Sequence, residues 1–162
     1  MRILILGGDG YLGWPTAMHL AAAGHEVTVA DNYLRRRIAK ATDSDALIPT
    51  PMLAERAAAF EALSGQKIRV RIGDLADPDL MFDVVREADP EAIVHYAEQP
   101  SAPYSMRGFR EARETFSNNL DVTFNCIWAV KELCPKAHIV KLGTMGEYGT
   151  QNINIEDGWI ES

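Results

Sequence analysis

Three glycines that stand three residues apart, Gly7, Gly10 and Gly13, follow directly on a short apolar run at residues 3–6. This arrangement is typical of a loop that binds the phosphates of a dinucleotide. The first glycine permits a tight turn, the second lets a pyrophosphate approach the backbone, and the third lets the next helix pack close to the strand. The N–H groups at the start of that helix would face the phosphates. We call residues 7–13 the glycine loop; its other candidate cofactor contacts are Asp9, Tyr11 and Leu12.

Asp31 follows a second apolar run, residues 26–30, a little over 20 residues past the glycines. A carboxylate at this position can accept hydrogen bonds from the adenosine ribose and would repel a 2′-phosphate, so NAD is predicted rather than NADP. Arg35, Arg36 and Arg37 come soon afterwards and could accommodate such a phosphate, or could form a solvated loop. Both interpretations of the arginine run stay open, and the prediction of NAD rests on Asp31.

Further polar candidates follow later apolar runs. Asp74 and Leu75 close a run at residues 67–72 and could contact the adenine edge, although an ordinary turn aspartate is the competing interpretation. His95 lies inside an apolar run and is predicted to be a core histidine with its hydrogen bonds satisfied, not a catalytic one.

Composition narrows the class of protein. The chain has 162 residues, of which 47% are apolar, so one domain with one real core is expected. The formal net charge of -7 argues against a nucleic-acid partner. Cys126 and Cys134 match no zinc pattern or disulfide framework and are predicted to be free buried thiols; no metal site is expected. No apolar run approaches the roughly 20 residues that cross a membrane, and the first strand leaves no room for a signal peptide. We therefore predict a cytoplasmic protein without a membrane partner.

Strand and helix patterns alternate along the chain, which indicates an α/β protein with a doubly wound parallel sheet of the Rossmann type and strand order 3-2-1-4-5. The carboxyl ends of its strands would bring the glycine loop, Asp31, Asp74 and the segments 97–104 and 143–149 to one crevice. Predicted strands are 2–6, 26–30, 67–72, 92–96 and 137–142, and predicted helices are 11–23, 52–63, 77–88 and a long helix that ends near Leu133. Residues 33–51 are predicted to be a polar connection, and 97–107 show no clear period.

The run Gly-Gly-Asp-Gly-Tyr-Leu-Gly-Trp at 7–14 resembles the cofactor loop of the extended short-chain dehydrogenase/reductase family, which includes epimerases and dehydratases of nucleotide sugars. Two longer motifs, Glu-Gln-Pro-Ser-Ala-Pro-Tyr-Ser-Met at 98–106 and Lys-Leu-Gly-Thr-Met-Gly-Glu-Tyr-Gly-Thr at 141–150, resemble the sulfoquinovose-forming branch of that family. The pairs Arg35-Arg36 and Asn118-Asn119 add to this resemblance. It implies an NAD-binding Rossmann domain over 1–150, with 151–162 as the start of a connection to a further segment.

The resemblance implies a reaction on a UDP-sugar, most simply UDP-glucose. NAD oxidises the sugar C4 hydroxyl, water is lost across C5 and C6, sulfite adds, and the hydride returns. Thr144 would hydrogen-bond the sugar O4, and Glu147 is the second candidate catalytic residue. Met145 and Gly146 stand where related dehydratases carry two proton-transferring carboxylates, which argues against a plain dehydratase. Pro100 stands where this branch carries an arginine, so an epimerase or dehydratase of the same family that acts on a different nucleotide sugar remains an alternative.

The remaining contacts implied by the resemblance fall in two groups. Cofactor contacts are expected from Asn32, Arg35, Arg36, Tyr96, Ala97 and Asn119, and substrate contacts from Gln99, Ser101, Tyr104, Met145 and Gly146. The family's base is the tyrosine of a Tyr-x-x-x-Lys motif, and no tyrosine of this sequence has a lysine four residues later. We therefore predict the NAD-binding portion of a nucleotide-sugar enzyme, with negligible turnover of its own; a non-catalytic NAD-binding module is the alternative. A sheet that stops after five strands also predicts self-association or homo-oligomerisation through its open edge.

Overall fold

The structure, a computed structural model, describes residues 1–143 of the chain. These residues form five strands and six helices, with one or two helices between successive strands. They are β1 (Arg2–Leu6), α1 (Gly13–Ala22), β2 (Glu26–Asp31), α2 (Leu34–Ala41), α3 (Leu53–Ser64), β3 (Ile68–Ile72), α4 (Pro78–Ala88), β4 (Ala92–His95), α5 (Ala102–Ser105), α6 (Phe109–Leu133) and β5 (His138–Lys141).

All five strands form one parallel sheet in the order β3-β2-β1-β4-β5, which confirms the predicted fold class and topology. β1 lies at the centre, and its Ile3 is in register with Val27 of β2 on one side and Ala92 of β4 on the other. Leu4, Ile5 and Leu6 are fully buried, as expected for a central strand that is covered on both faces.

Alternate residues of β1 point into two separate cores, because successive side chains of a strand face opposite sides of a sheet. Leu4 and Leu6 pack with Met81 of α4 and Val122 of α6. On the other face, Ile3 and Ile5 pack with a group from α1, β2 and α3 that includes Trp14, Val29 and Leu53. The sheet is therefore covered by helices on both faces, which is the doubly wound arrangement.

Local capping explains where two helices begin and end. The Asp77 carboxylate accepts a hydrogen bond of 3.0 Å from the N–H of Asp79, and Pro78 occupies the first turn of α4, as the sequence predicts. α3 ends at Gly65, whose φ of +70° is in the left-handed region that favours glycine.

The predicted polar connection at 33–51 is wrong, because it contains helix α2. Only Leu34 and Ile38, one helical turn apart, are buried there, and three arginines separate them. Two apolar residues are too weak a signal for an amphipathic pattern. The short helix α5 was likewise missed in the segment 97–107; its first turn is capped by Ser101, whose hydroxyl accepts the N–H of Tyr104 at 3.3 Å.

Helix α6 carries apolar side chains on two faces, and only one face is buried. Val122, Cys126, Ala129 and Val130 belong to the core beside α4. Most of the apolar residues whose spacing predicts this helix lie on the other face and are more than half exposed: Phe116, Leu120, Phe124 and Ile127. We call these four residues the outer face of α6.

Both cysteines are free thiols, as predicted; Cys126 is buried and Cys134 is partly buried. Burial raises the pKa of the Cys126 thiol to about 11, so this side chain stays protonated at neutral pH. No helix within residues 1–143 is long and apolar enough to cross a membrane.

Candidate functional site

The carboxyl ends of the strands open on a cleft of about 770 Å³, within the range of about 300–1,000 Å³ that is usual for small-molecule sites. In a doubly wound sheet this is the edge where ligands bind. Most of the predicted cofactor contacts line it: Gly7, Gly10, Tyr11, Leu12, Gly13, Asp31, Asn32, Arg35, Asp74, Leu75, Tyr96, Ala97 and Asn119. The structure therefore brings together residues that lie more than 100 positions apart in the sequence.

The glycine loop has the geometry that the sequence predicts for its first and third glycines. Gly7 has a φ of +87°, and its N–H and that of Gly8 donate to the carbonyl of Ala30 at 2.8 and 3.1 Å. A Cβ on Gly13 would overlap the carbonyl oxygen of Gly7, so the third glycine lets α1 begin against the loop. Gly8 has a role that the spacing did not reveal, because a Cβ there would lie 2.5 Å from Cβ of Val29.

The carboxylate of Asp31 accepts two backbone hydrogen bonds, one of them from the glycine loop. Its Oδ2 accepts the N–H of Asp9 at 2.9 Å, and its Oδ1 accepts the N–H of Tyr33 at 2.6 Å. Burial raises the pKa of Asp31, and the two N–H groups act against that rise. The carboxylate thus fixes both the glycine loop and the turn after β2, and it also lines the cleft.

Asp9 and Arg36 are not among the residues that line the cleft, so the structure does not place them as the predicted cofactor contacts. The Asp9 carboxylate, 7% exposed, accepts hydrogen bonds from Nε and Nη2 of Arg36 at 2.7 and 2.8 Å. It also pairs with Arg56 of α3. We call Asp9, Arg36 and Arg56 the aspartate–arginine cluster. It fastens the glycine loop to α2 and α3.

Secondary contacts hold each arginine of the cluster. Arg36 donates to the carbonyls of Thr50 and Pro51, both at 2.7 Å, and its hydrogen bonds with Asp9 raise its pKa. Arg56 lies 4.8 Å from the ring centroid of Trp14, and burial lowers its pKa. Sequence reasoning missed Arg56 entirely, because nothing in its surroundings at 52–63 distinguishes it from a surface residue of a helix.

The side chains of the three consecutive arginines, residues 35–37, lie in three different environments. Arg35 is exposed and lines the cleft, and its side chain makes no hydrogen bond or ion pair within residues 1–143. Arg36 belongs to the aspartate–arginine cluster. Arg37 pairs with Glu114 of α6 at 2.8 Å. Of the two arginines predicted to contact the cofactor, Arg35 lines the cleft, whereas the side chain of Arg36 is bound to Asp9.

Gln99 and Asn119 bind each other rather than leaving their side chains free for a ligand. The N–H of Gln99 donates to Oδ1 of Asn119 at 2.8 Å, and Nδ2 of Asn119 donates to the Gln99 carbonyl at 3.2 Å. The amide of Gln99 donates to Oγ1 of Thr115 at 2.7 Å and accepts the N–H of Ser101 at 2.6 Å. Both residues line the cleft, and their polar groups serve to fasten the segment after β4 to α6.

Ser101 and Tyr104, two further predicted substrate contacts, lie outside this cleft. Ser101 caps α5 and lines a smaller neighbouring cavity of about 190 Å³, which shares Arg35 and Gln99 with the main cleft. The Tyr104 hydroxyl donates to Glu114, and this hydrogen bond raises the pKa of the tyrosine. A phenol held in this way is a poor base.

The ends of β4 and β5 add residues that sequence reasoning did not single out for the cleft. Lys141 pairs with Glu98, and both line the cleft. His95 is almost fully buried; its Nε2 is 3.4 Å from Oγ1 of Thr123, while its Nδ1 has no partner within residues 1–143. Burial and the nearby charge of Lys141 lower the pKa of His95 to about 4. The prediction of a fully satisfied core histidine is therefore wrong for one of its two nitrogens.

Four predicted residues, Thr144, Met145, Gly146 and Glu147, lie outside the described residues. The described part of the cleft reaches Gly143. Within residues 1–143, no group of three His, Cys, Asp or Glu side chains could hold a metal ion.

Comparisons with known proteins agree with the fold and the family resemblance. UDP-sulfoquinovose synthase from Sulfolobus acidocaldarius is 45% identical over 157 residues, which cover 97% of this chain and 40% of that protein. The chloroplastic UDP-sulfoquinovose synthase of Spinacia oleracea is 41% identical over 159 residues, which cover 98% of this chain and 33% of the spinach protein. The chain thus spans between a third and two fifths of the length of these two relatives.

A solved structure shares the fold. UDP-glucose 4-epimerase from Bifidobacterium longum, crystallised with NAD+ and UDP, matches with a TM-score of 0.72 at 22% identity, covering 94% of this chain and 40% of that one. The model of the family described as "NAD dependent epimerase/dehydratase family" matches residues 3–159. Because this match takes in nearly the whole sequence, the chain belongs to the NAD dependent epimerase/dehydratase family.

Proposed function

We propose that this chain is the NAD-binding portion of an enzyme that modifies a UDP-sugar, with a reaction like that of UDP-sulfoquinovose synthase. The observation that carries the proposal is the cleft at the carboxyl ends of the strands, walled by the glycine loop on one side and by Asp31 and Asp74 on another. The names of the two relatives, at 41% and 45% identity, support the sugar chemistry.

The glycine loop is suited to the pyrophosphate of NAD. The backbone N–H groups of Tyr11, Leu12 and Gly13 make no hydrogen bond within residues 1–143, and all three residues line the cleft. Unpaired N–H groups at the beginning of a helix, together with the helix dipole, favour a phosphate. We assign the pyrophosphate to this position.

The ribose and adenine belong, in this proposal, at the ends of β2 and β3. Asp31 would accept the ribose hydroxyls with the lone pairs that its two backbone hydrogen bonds leave free. Nδ2 of Asn32 donates to Oδ1 of Asp74 at 3.1 Å, so these two side chains form one polar rim beside Leu75. Arg35 would stand over the same end of the cleft as its exposed cation.

Bound NAD would supply the hydride acceptor and donor for reversible oxidation of the sugar at C4. This chain's residues would bind and orient the two molecules. Thr144 and Glu147 remain the candidate catalytic residues, and Met145 and Gly146 the candidate substrate contacts. Gln99, Ser101 and Tyr104 would shape the substrate end through the hydrogen bonds that hold segment 98–106. UDP-glucose as the sugar and sulfite as the acceptor stay predictions, with another UDP-sugar as the alternative.

Self-association is part of the proposal. Val140 and Leu142, at the edge strand β5, are about half exposed, and the outer face of α6 adds a second apolar surface. Such surfaces favour contact with another chain. The cytoplasmic location and the domain boundary at residue 150 stay predictions; the name of the spinach relative places that protein in the chloroplast.

Isothermal titration calorimetry with NAD+ tests the proposal. One NAD+ should bind per chain, and Gly10→Val, which puts a side chain where the pyrophosphate would lie, should remove the binding while the circular dichroism of the protein is kept. A time course with UDP-glucose, sulfite and NAD+ should yield no sulfonated sugar from the 162-residue chain. A protein that binds no NAD+ contradicts the proposed function; sugar turnover contradicts the prediction of negligible activity.

A non-catalytic NAD-binding module is the second candidate, and it too would use the cleft between the glycine loop and Asp31. Both candidates predict NAD+ binding. They differ in whether UDP binds as well, because a module that only binds the dinucleotide needs no nucleotide-sugar site. Calorimetry with UDP-glucose on the NAD-loaded chain separates them.

A further inference from the structure

The aspartate–arginine cluster lies directly behind the carboxylate that would hold the adenosine ribose. The Asp9 N–H donates to Oδ2 of Asp31, while the Asp9 side chain holds Arg36 and Arg56. One residue therefore connects the proposed ribose acceptor to both arginines of the cluster, through its backbone and its side chain.

The charges of this region balance. Asp9 and Asp31 supply two negative charges, and Arg36 and Arg56 supply two positive ones. Arg36 is close enough to Asp31 that the arginine charge acts to lower the pKa of the aspartate. Removing the charge of Asp9 would leave the region with one excess positive charge, next to the place where a 2′-phosphate would enter.

Arg36 is held in a fixed position but is not sealed from solvent. Its side chain is 29% exposed, and both of its bonds to Asp9 depend on the same carboxylate. Its other partners are two backbone carbonyls in the segment between α2 and α3. Without the Asp9 charge, the guanidinium would lose its strongest, charge-assisted contacts.

We propose that Asp9 sets the dinucleotide preference of this chain by holding Arg36 against the back of the glycine loop, which keeps that cation from pairing with a 2′-phosphate. Asp31 repels the phosphate, and Asp9 withholds Arg36, a cation close enough to act on Asp31 that could otherwise compensate. Asp9 is thus a positioning residue for selectivity and need not touch the dinucleotide. This inference rests on the proposed NAD site.

Calorimetric titration of the 162-residue chain with NAD+ and NADP+ tests the inference through the ratio of the two dissociation constants. Asp9→Asn keeps the shape of the side chain and removes its charge, so NADP+ should gain on NAD+ by about tenfold, since a hydrogen bond to a charged group is lost and Arg36 is released. Asp9→Asn combined with Arg36→Gln should restore the original ratio. The matched control is Asp83→Asn, which removes the same charge from an exposed pair with Arg86 and should leave the ratio unchanged.

Four results would overturn the inference. An unchanged ratio in a folded Asp9→Asn protein does so, and so does a shift that persists in the double variant. If Asp9→Asn fails to fold, Arg36→Gln decides instead, because Arg56 still pairs with Asp9 in that variant. The ratio of the NAD+ and NADP+ dissociation constants should then stay within about twofold of the wild-type ratio. A selective loss of NADP+ affinity would show that Arg36 already reaches the phosphate. Failure of the wild-type chain to bind NAD+ would overturn the proposed function as well, whereas NAD+ binding with an unshifted ratio overturns this inference alone.

Discussion

The two sides of the cleft are built differently. On the glycine-loop side, the charged residues Asp9, Arg36 and Arg56 pair with one another and are largely buried. On the α6 side, the polar groups of Gln99 and Asn119 also pair internally, but the outer face of the helix leaves large apolar side chains in solvent. The difference teaches that the charged groups behind the glycine loop find their partners within the described residues, whereas α6 exposes apolar side chains of the kind that another surface can cover.

The largest effect on the glycine-loop side of the cleft is expected from Gly13→Ala. The new Cβ overlaps the Gly7 carbonyl oxygen, which belongs to rigid backbone, so we expect the free energy of unfolding to fall by about 3 kcal/mol and NAD+ binding to be lost. Urea denaturation and calorimetry measure the two effects. Gly24→Ala is the matched control: its φ is +86° but its Cβ would meet open space, so it should cost only about 1–2 kcal/mol. Equal costs for the two variants would contradict the close packing at Gly13.

The pH dependence of stability at His95 tests whether solvent is excluded from the end of the cleft near β4 and β5. The pKa of His95 in the folded protein is about 4, below the ordinary value of 6.5, so the unfolded chain takes up a proton first as the pH falls. Stability should therefore be complete above about pH 6.5 and fall by about 3 kcal/mol on the way to pH 4.

The variant His95→Gln should remove that part of the pH dependence, as measured by denaturant unfolding between pH 7 and pH 4. His19→Gln is the control, because His19 is an exposed residue of α1 and does not line the cleft. If the free energy of unfolding of His95→Gln depends on pH as that of the wild type does, water reaches the imidazole, and this wall of the cleft is solvated.

The two faces of α6 can be compared directly. Val122→Ala, on the buried face, should lower the free energy of unfolding by about 2 kcal/mol through lost burial and a new cavity. Phe124→Ala removes a larger side chain from the outer face and should cost less than about 1 kcal/mol. Light scattering of the same samples should show less association for Phe124→Ala only. A larger loss of stability at Phe124 than at Val122 would reverse the assignment of the two faces.

The smallest expected effect concerns Tyr104. Glu114→Gln weakens the hydrogen bond that holds the phenol proton, so the pKa of Tyr104 should fall toward its ordinary value, and the free energy of unfolding should change by about 1 kcal/mol or less. Ultraviolet absorbance during a pH titration reports the phenolate. Glu132→Gln, farther along α6, should have no effect on it. A tyrosine titration that is unchanged in Glu114→Gln would show that this hydrogen bond does not raise the pKa of Tyr104.

Most of the fold could be predicted because its signals are local. The five apolar runs predicted the strands to within one or two residues, and right-handed crossovers leave few strand orders, of which the predicted one is observed. The exceptions also have local causes. α2 contains only two buried apolar residues, and α6 has apolar residues on both faces, so periodicity located the helix without saying which face is covered.

The site was predicted less completely, because side-chain pairing depends on distances that the sequence does not display. Asp9 and Arg36 stand 27 residues apart, and Asp9 and Arg56 stand 47 apart. A glycine motif predicts the path of the backbone and the position of a phosphate. It says nothing about which carboxylate side chain turns toward the ligand and which turns toward a helix behind it.

The central position of β1 has a consequence for synthesis on the ribosome. Ile3 pairs with Val27 on one side but with Ala92 on the other, so the second partner strand is made much later than the first. At roughly 5–20 residues per second, that interval lasts several seconds. During it, β1, β2 and β3 can already assemble with α1 and α3, while the other edge of β1 offers unpaired backbone groups to any neighbouring nascent chain. The strand that carries the glycine loop is thus made before its four partners in the sheet, and one of its edges stays open until β4 has been made.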